Sequence, residues 1–174
     1  MIGHGILQQR NGLQALEAIL NLALMTGNLG KKGTGLFFLA AENNEMGSWD
    51  MGTAPDFLPG RQSLREEDIR KYWELKWKTR ISPDPGLNII RTIEEAEEGS
   101  LKALYVMGEN PVRSLPQPGQ IRKALGNLEF LVVQDILENE TTLLADVVLP
   151  GAAFSEKEGS FTNMEGRIQS FVPV

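Results

Sequence analysis

The 174-residue chain contains no cysteine. That excludes disulfides, thiol nucleophiles, Cys-based zinc sites and iron–sulfur ligation by its own side chains. It has one histidine, His4, so a His-rich metal site or a Ser-His-Asp triad would rest on that residue alone. Positive charge is in short supply: Lys and Arg number 17 against 23 Asp and Glu, for a net charge of −6. A nucleic-acid binder normally needs a basic footprint, and this balance argues against one. Long apolar runs are also missing. The longest candidate, Leu13 to Met25, is interrupted by Gln14, Glu17 and Asn21, well short of the roughly 18 uninterrupted apolar residues of a membrane span. No secretory leader is visible, so the expected location is the cytoplasm, without direct membrane insertion. Any redox or hydrolytic chemistry here needs a reactive centre not made of this chain's side chains alone.

What is present suits a globular fold. The apolar fraction is 41% and the charged fraction 23%, close to soluble averages. The length fits about one domain. Leu13, Leu16, Ile19, Leu20, Ala23 and Leu24 recur at helical spacing, with Asn11 placed to cap the first amides and Gly27 at the far end. The segment Gly27 to Gly35 is glycine-rich and reads as an ordered loop, followed by a short buried strand within Leu36 to Ala41. Glycine and proline then punctuate residues 42–62, while Met46, Trp49, Met51 and Phe57 argue that this excursion is ordered. A weaker helix within Leu64 to Arg80 precedes a second helix over Leu87 to Glu98, closed by Gly99.

The remainder reads as strand (Leu101 to Met107), helix (Gln120 to Leu128), strand (Phe130 to Val133), helical turn (Thr141 to Ala145) and strand (Asp146 to Pro150). The run Phe130-Leu131-Val132-Val133 is continuously apolar, as in a strand covered on both faces. This order predicts an α/β fold, a Rossmann-like parallel sheet flanked by helices with a long ordered loop excursion.

Ligands of parallel sheets bind at the carboxyl ends of the strands. Two such ends carry polar residues: Gly108-Glu109-Asn110-Pro111 and Gln134-Asp135. A carboxylate there can accept two hydrogen bonds from a guanine edge or a ribose diol, and Gly108 lets a ligand approach the backbone. The same residue types also cap helices and satisfy turns, and the pattern alone leaves both roles open. The glycine loop has neither the spacing of a phosphate loop nor a strand before it. Glu156, Glu158 and Glu165 read as solvated carboxylates rather than metal ligands.

These motifs, taken in order, resemble the molybdopterin oxidoreductases. The resemblance is carried by Leu104 to Pro111, Val132-Val133-Gln134-Asp135-Ile136, Thr141 with Ala145 to Pro150, and Glu156 to Gln169. In the first half it is carried by Gly5-Ile6 with Gln8, Asn21 to Gly30, Lys32 to Gly35, and Asn43-Asn44 with Gly47, Asp50 to Gly52, Pro55 and Pro59-Gly60. The nearest look is to the formate dehydrogenase large subunit and the related large subunit of NADH:quinone oxidoreductase.

The resemblance implies a bis(molybdopterin guanine dinucleotide) cofactor with molybdenum or tungsten. It also implies a [4Fe-4S] cluster and a metal-ligating residue upstream of the part seen here. Residues 1–150 would be part of the third, α/β domain, and 151–174 a connection toward a C-terminal cofactor-binding domain. Gly108, Glu109, Asn110, Gln134 and Asp135 would hold one guanosine arm, with Thr141 a further contact. Gln8 and the loop from Asn43 and Asn44 to Gly52 would approach the pterin side. No metal ligand falls in this chain, which alone would be inactive. The implied partners are the remaining domains of the same subunit and iron–sulfur or NADH-oxidising electron-transfer subunits. One departure stands out. Formate dehydrogenases carry Arg-Gly-Gln before the Asn-Asn pair, the arginine placed to hold formate; here the positions are Ala40, Ala41 and Glu42. A carboxylate substrate loses its cation and meets an anion instead. That leaves two readings: a different substrate, or a structural relative whose pterin site is unused.

Overall fold

The computed structural model describes residues 1–39 and 42–174. Its contacts divide the chain into two units, residues 1–62 with 160–171 and residues 63–159 with 172–174.

In the first unit, β1 (Ile2–Gly3) pairs in parallel with β2 (Phe38–Leu39). Helix α1 (Gly12–Met25) follows the predicted span. Asn11 supports it differently from expectation: its side chain makes no cap, and its carbonyl accepts the Ala15 amide at 3.0 Å. Gly27 leaves the helix at φ +66°, a left-handed position natural to glycine. Among the described residues the strand expected within Leu36 to Ala41 is Phe38–Leu39, and both residues are exposed rather than buried. Its parallel partner offers only two residues, so the ladder is short. Ala40 and Ala41 lie outside the described residues.

The excursion at 42–62 contains α2 (Glu45–Asp50) and β3 (Phe57–Leu58), with β4 (Gln62–Ser63) following. Arg61 orders it. Its Nε donates to Asp50 Oδ1 at 2.6 Å, its Nη2 donates to the Met46 carbonyl at 3.1 Å, and the guanidinium lies 5.8 Å from the Trp49 ring centroid.

The second unit carries α3 (Glu67–Trp77), where Tyr72 meets Trp73 edge to face and Trp73 packs at a tilt against Trp77. It continues with α4 (Ile89–Glu98), β5 (Ala103–Met107), α5 (Pro111–Ser114), α6 (Pro118–Gly126), β6 (Phe130–Asp135) and β7 (Val147–Pro150). Asn88 caps α4 by accepting the Arg91 amide at 2.9 Å. Strands β5, β6 and β7 form a parallel sheet in that order, the α/β arrangement expected. The segment beyond 150, expected as connecting loop, contains a two-stranded sheet of β8 (Gly159–Thr162) and β9 (Ile168–Phe171), with Phe161 stacked on Phe171.

The core of the second unit lies on one face of the sheet. Val106, Leu131 and Val133 pack there with Ile93 and Ala96 of α4, Val112 of α5, and Ile121, Ala124 and Leu125 of α6. The other face, with Tyr105, Met107, Phe130, Val147 and Leu149, is exposed. The two-sided cover read from Phe130 to Val133 is therefore not what forms: the helices around the sheet all reach the same face. No helix among the described residues is long and apolar enough to cross a membrane.

Leu131 is 1% exposed and Met107 64%. Leu131→Ala should therefore cost about 2–5 kcal/mol in chemical denaturation, and Met107→Ala within about 1 kcal/mol. Equal costs would contradict a one-sided core.

Candidate functional site

Parallel register decides what meets at the strand ends. Met107 stands opposite Gln134 and Asp135 opposite Pro150. The ladder continues one step past β5 and β7, with the Gly108 amide donating to the Gln134 carbonyl and the Gly151 amide to the Asp135 carbonyl, both at 2.8 Å. Three strands thus end together, and the polar residues after β5 and at the end of β6 share one edge. Gly108 turns the chain there at φ +64°, and a Cβ on it would meet no heavy atom within 4 Å. The position needs glycine for its backbone, and the space before it is open.

The side chains at this edge divide into satisfied and available groups. Glu109 is exposed; one of its oxygens accepts the Asn110 amide at 2.9 Å, and the other has no partner among the described residues. Asp135 accepts the Ile136 amide and Asn139 Nδ2, both at 2.7 Å, with lone pairs to spare. The Gln134 side chain accepts the Tyr105 hydroxyl on the exposed face of the sheet. Asn110 is used internally: its Nδ2 donates to Glu140 at 2.7 Å and its Oδ1 accepts the Thr141 hydroxyl at 2.7 Å. Thr141 has no exposed surface. Beside Asp135 lies a hollow of about 350 Å3 walled by Ile136, Leu137, Leu143, Val148 and Pro150.

Gly108, Glu109, Asn110, Gln134, Asp135 and Thr141 are therefore gathered in the second unit. Gln8, Asn43 and Asn44 fall in the first. Gln8 is exposed in the turn after a single 3-10 turn at His4–Ile6. Asn44 precedes α2 and its Oδ1 accepts the Thr162 amide of β8 at 2.9 Å. A Cβ on Gly47 would sit 2.3 Å from that Oδ1, so only glycine fits beneath the link. His4 lines an apolar hollow of about 400 Å3 with Leu7, Phe37, Phe38, Trp49 and Met164. No group of three His, Asp or Glu stands ready to hold a metal among the described residues.

Comparison with known proteins gives the family. The molybdopterin oxidoreductase family profile matches residues 1–174. The chain belongs to the molybdopterin oxidoreductase family. It is 48% identical over 165 residues to the F420-dependent formate dehydrogenase subunit alpha of Methanocaldococcus jannaschii, covering 95% of this chain and 24% of that protein. It is 45% identical over 165 residues to the F420-dependent formate dehydrogenase 1 subunit alpha of Methanococcus maripaludis, again 95% and 24%. It is 40% identical over 157 residues to an NADH-quinone oxidoreductase subunit of Rhizobium meliloti, covering 90% of this chain and 18% of that one. The chain thus spans a quarter or less of the length of these relatives.

The strand ends present two carboxylates with acceptor capacity, Glu109 and Asp135, and the open backbone at Gly108 admits a ligand to contact distance. Sequence reading missed Asn139 and Glu140, whose side chains link the two tips. Their only signal is a polar run, Asn139 to Thr142, in the kind of residues that bond backbone in turns.

Glu140 is held below the ordinary carboxylate value of 4.5, first by the hydrogen bond from Asn110, then by its own backbone amide and by Arg113 and Arg122. A lowered folded value means the Asn110 bond is at full strength above pH 4.5 and weakens as pH falls through the folded value. The Asn110 side-chain amide resonances should hold steady down to about pH 4.5 and move below it. In Glu140→Gln they should stay flat. A midpoint above 4.5 in the unmodified chain would contradict the arrangement.

Proposed function

We propose that this chain is a cofactor-binding segment of a molybdenum- or tungsten-pterin oxidoreductase, positioning one guanosine arm of a bis(molybdopterin guanine dinucleotide) for electron transfer. The observation that carries the reading is the shared edge where Gly108-Glu109-Asn110 and Gln134-Asp135 end together beside an open hollow. Family membership supports it independently. When bound, the metal and pterin supply the redox chemistry; the protein binds and orients them. Glu109 and Asp135 accept the base or ribose donors, Gly108 gives backbone access, and Asn110 with Thr141 holds the loop between them. Gln8, Asn43 and Asn44 serve the pterin side. The remaining domains of the large subunit and an iron–sulfur or NADH-oxidising subunit complete the assembly, which works in the cytoplasm.

The substrate of that assembly is better read as something other than formate. A formate-holding arginine in the family pattern would stand where this chain has Ala40, and exposed Glu42 adds a negative charge nearby. The same departure supports a second reading, a structural module that no longer holds pterin, in line with the similarity to an NADH-quinone oxidoreductase subunit. The two readings part on nucleotide binding.

Titration of the 15N-labelled chain with GDP should perturb Gly108 to Asn110 and Gln134 to Asp135 first, with weak affinity, since one arm of a divided site supplies only part of the contacts. Shifts confined elsewhere would overturn the assignment, and no shift at all would favour the structural module. The 174-residue chain alone should show no turnover with an artificial electron acceptor. Measured turnover would contradict the division of labour proposed.

A further inference from the structure

Asn110 immediately precedes α5, where an asparagine ordinarily caps the helix with its own side chain. Here it makes no such cap. Its amide reaches instead to the β6–β7 connection, where two consecutive residues take both of its ends. Glu140 Oε2 accepts Nδ2 at 2.7 Å, and Thr141 Oγ1 donates to Oδ1 at 2.7 Å. The Thr141 hydroxyl also accepts the Val112 amide of α5 at 3.4 Å and is fully buried. The preceding residue, Asn139, serves the other tip, its Nδ2 donating to Asp135 Oδ2 at 2.7 Å. Its Oδ1 accepts the amides of Thr141 and Thr142 at 2.9 and 3.1 Å. The Thr142 hydroxyl closes the turn between the Asn139 amide and carbonyl, both at 2.8 Å. One tetrapeptide therefore grips both strand tips.

We propose that residues 139–142 form a clasp that sets the spacing of the two ligand-facing carboxylates, with Glu140 and Thr141 as positioning residues that determine base specificity. The inference rests on the reading that these tips hold a guanosine arm. Glu109 sits on the loop after β5 and Asp135 is the last residue of β6, and β-sheet register fixes the backbone at these tips but not the side-chain carboxylates. The clasp carries that order outward to the side chains: Asn110, gripped by Glu140 and Thr141, donates its backbone amide to Glu109, while Asn139 holds Asp135. Pre-set acceptors bind a guanine edge without an ordering cost, and linked hydrogen bonds strengthen one another. An adenine edge turns a ring acceptor toward the same carboxylates and gains nothing from their spacing. The clasp should therefore govern guanine over adenine preference and leave general nucleotide contact unchanged.

The test uses the 15N-labelled chain as wild type, Thr141→Val and Glu140→Ala, with Thr141→Ser and Glu140→Gln as conservative partners that keep a hydroxyl or an acceptor. GDP and ADP titrations are read alongside amide resonances and hydrogen exchange without nucleotide. In Thr141→Val and Glu140→Ala, GDP affinity should fall about tenfold, the effect of losing one doubly used or one charge-assisted hydrogen bond. ADP affinity should not change, so the preference for guanine collapses. The Ser and Gln variants should retain most of it. Without ligand, amides of Glu109 to Val112 should shift and exchange faster, while Leu131 and Val133 stay protected. If Thr141→Val fails to fold, Glu140→Ala carries the test, because it removes only a half-buried side chain. Unchanged base preference with unmoved amides at Glu109 to Val112 would overturn the clasp. A wild-type chain indifferent to GDP would overturn the nucleotide reading instead, and the ligand-free amides would then decide the clasp alone.

Discussion

Parallel hydrogen bonding between β5 and β6 is the constraint on which the second unit depends. Each residue from Ala103 to Met107 is matched in order with Phe130 to Gln134, and a one-residue slip would turn Leu131 and Val133 out of the core. The buried helices hold the register by packing Ile93, Ala96, Ile121, Ala124 and Leu125 against that single face. Because the strands run the same way, their polar carboxyl ends fall on one edge. The candidate site is a consequence of how the core is packed.

Past the last paired residue, a second kind of force joins apolar packing. Val112, Leu144 and Ala145 still pack against the core, and side-chain hydrogen bonds that span about thirty residues, between Asn110 and the Glu140–Thr141 pair, add order at the tips themselves. Asn139 ties the same segment to Asp135. These are directional contacts, partly charged and partly buried, and each holds a specific atom. That suits a site whose work is to orient a ligand. The chain has no cysteine, and the described residues hold no metal-ready cluster.

The first unit solves a related problem with other means. Residues 42–62 have too little regular structure to be ordered by ladders, and Arg61 does the ordering by joining Asp50, Met46 and the Trp49 ring. Asn44 joins the same segment to β8 through the Thr162 amide, over a Gly47 that leaves room for nothing larger. Polar cross-links again hold what apolar packing does not.

Periodicity and punctuation in the sequence were enough to place α1, α4, β5, β6, β7 and the α/β class, since those elements follow from local spacing of apolar residues and from glycine and proline at their ends. The clustering of Gly108, Glu109, Asn110, Gln134 and Asp135 was legible too, because parallel strands must end on one side. Three features were decided only by the folded chain. The exposure of Phe38 and Leu39, and of the second sheet face, depends on which elements arrive to cover them, and local pattern carries no such information. Asn11 and Asn110 have the composition of helix caps, yet neither caps with its side chain; a competing partner for Asn110 lies thirty positions away. Asn139 and Glu140 gain their meaning from that same distance: hydrogen-bond partners remote in sequence are chosen by three-dimensional proximity, which residue order alone does not reveal.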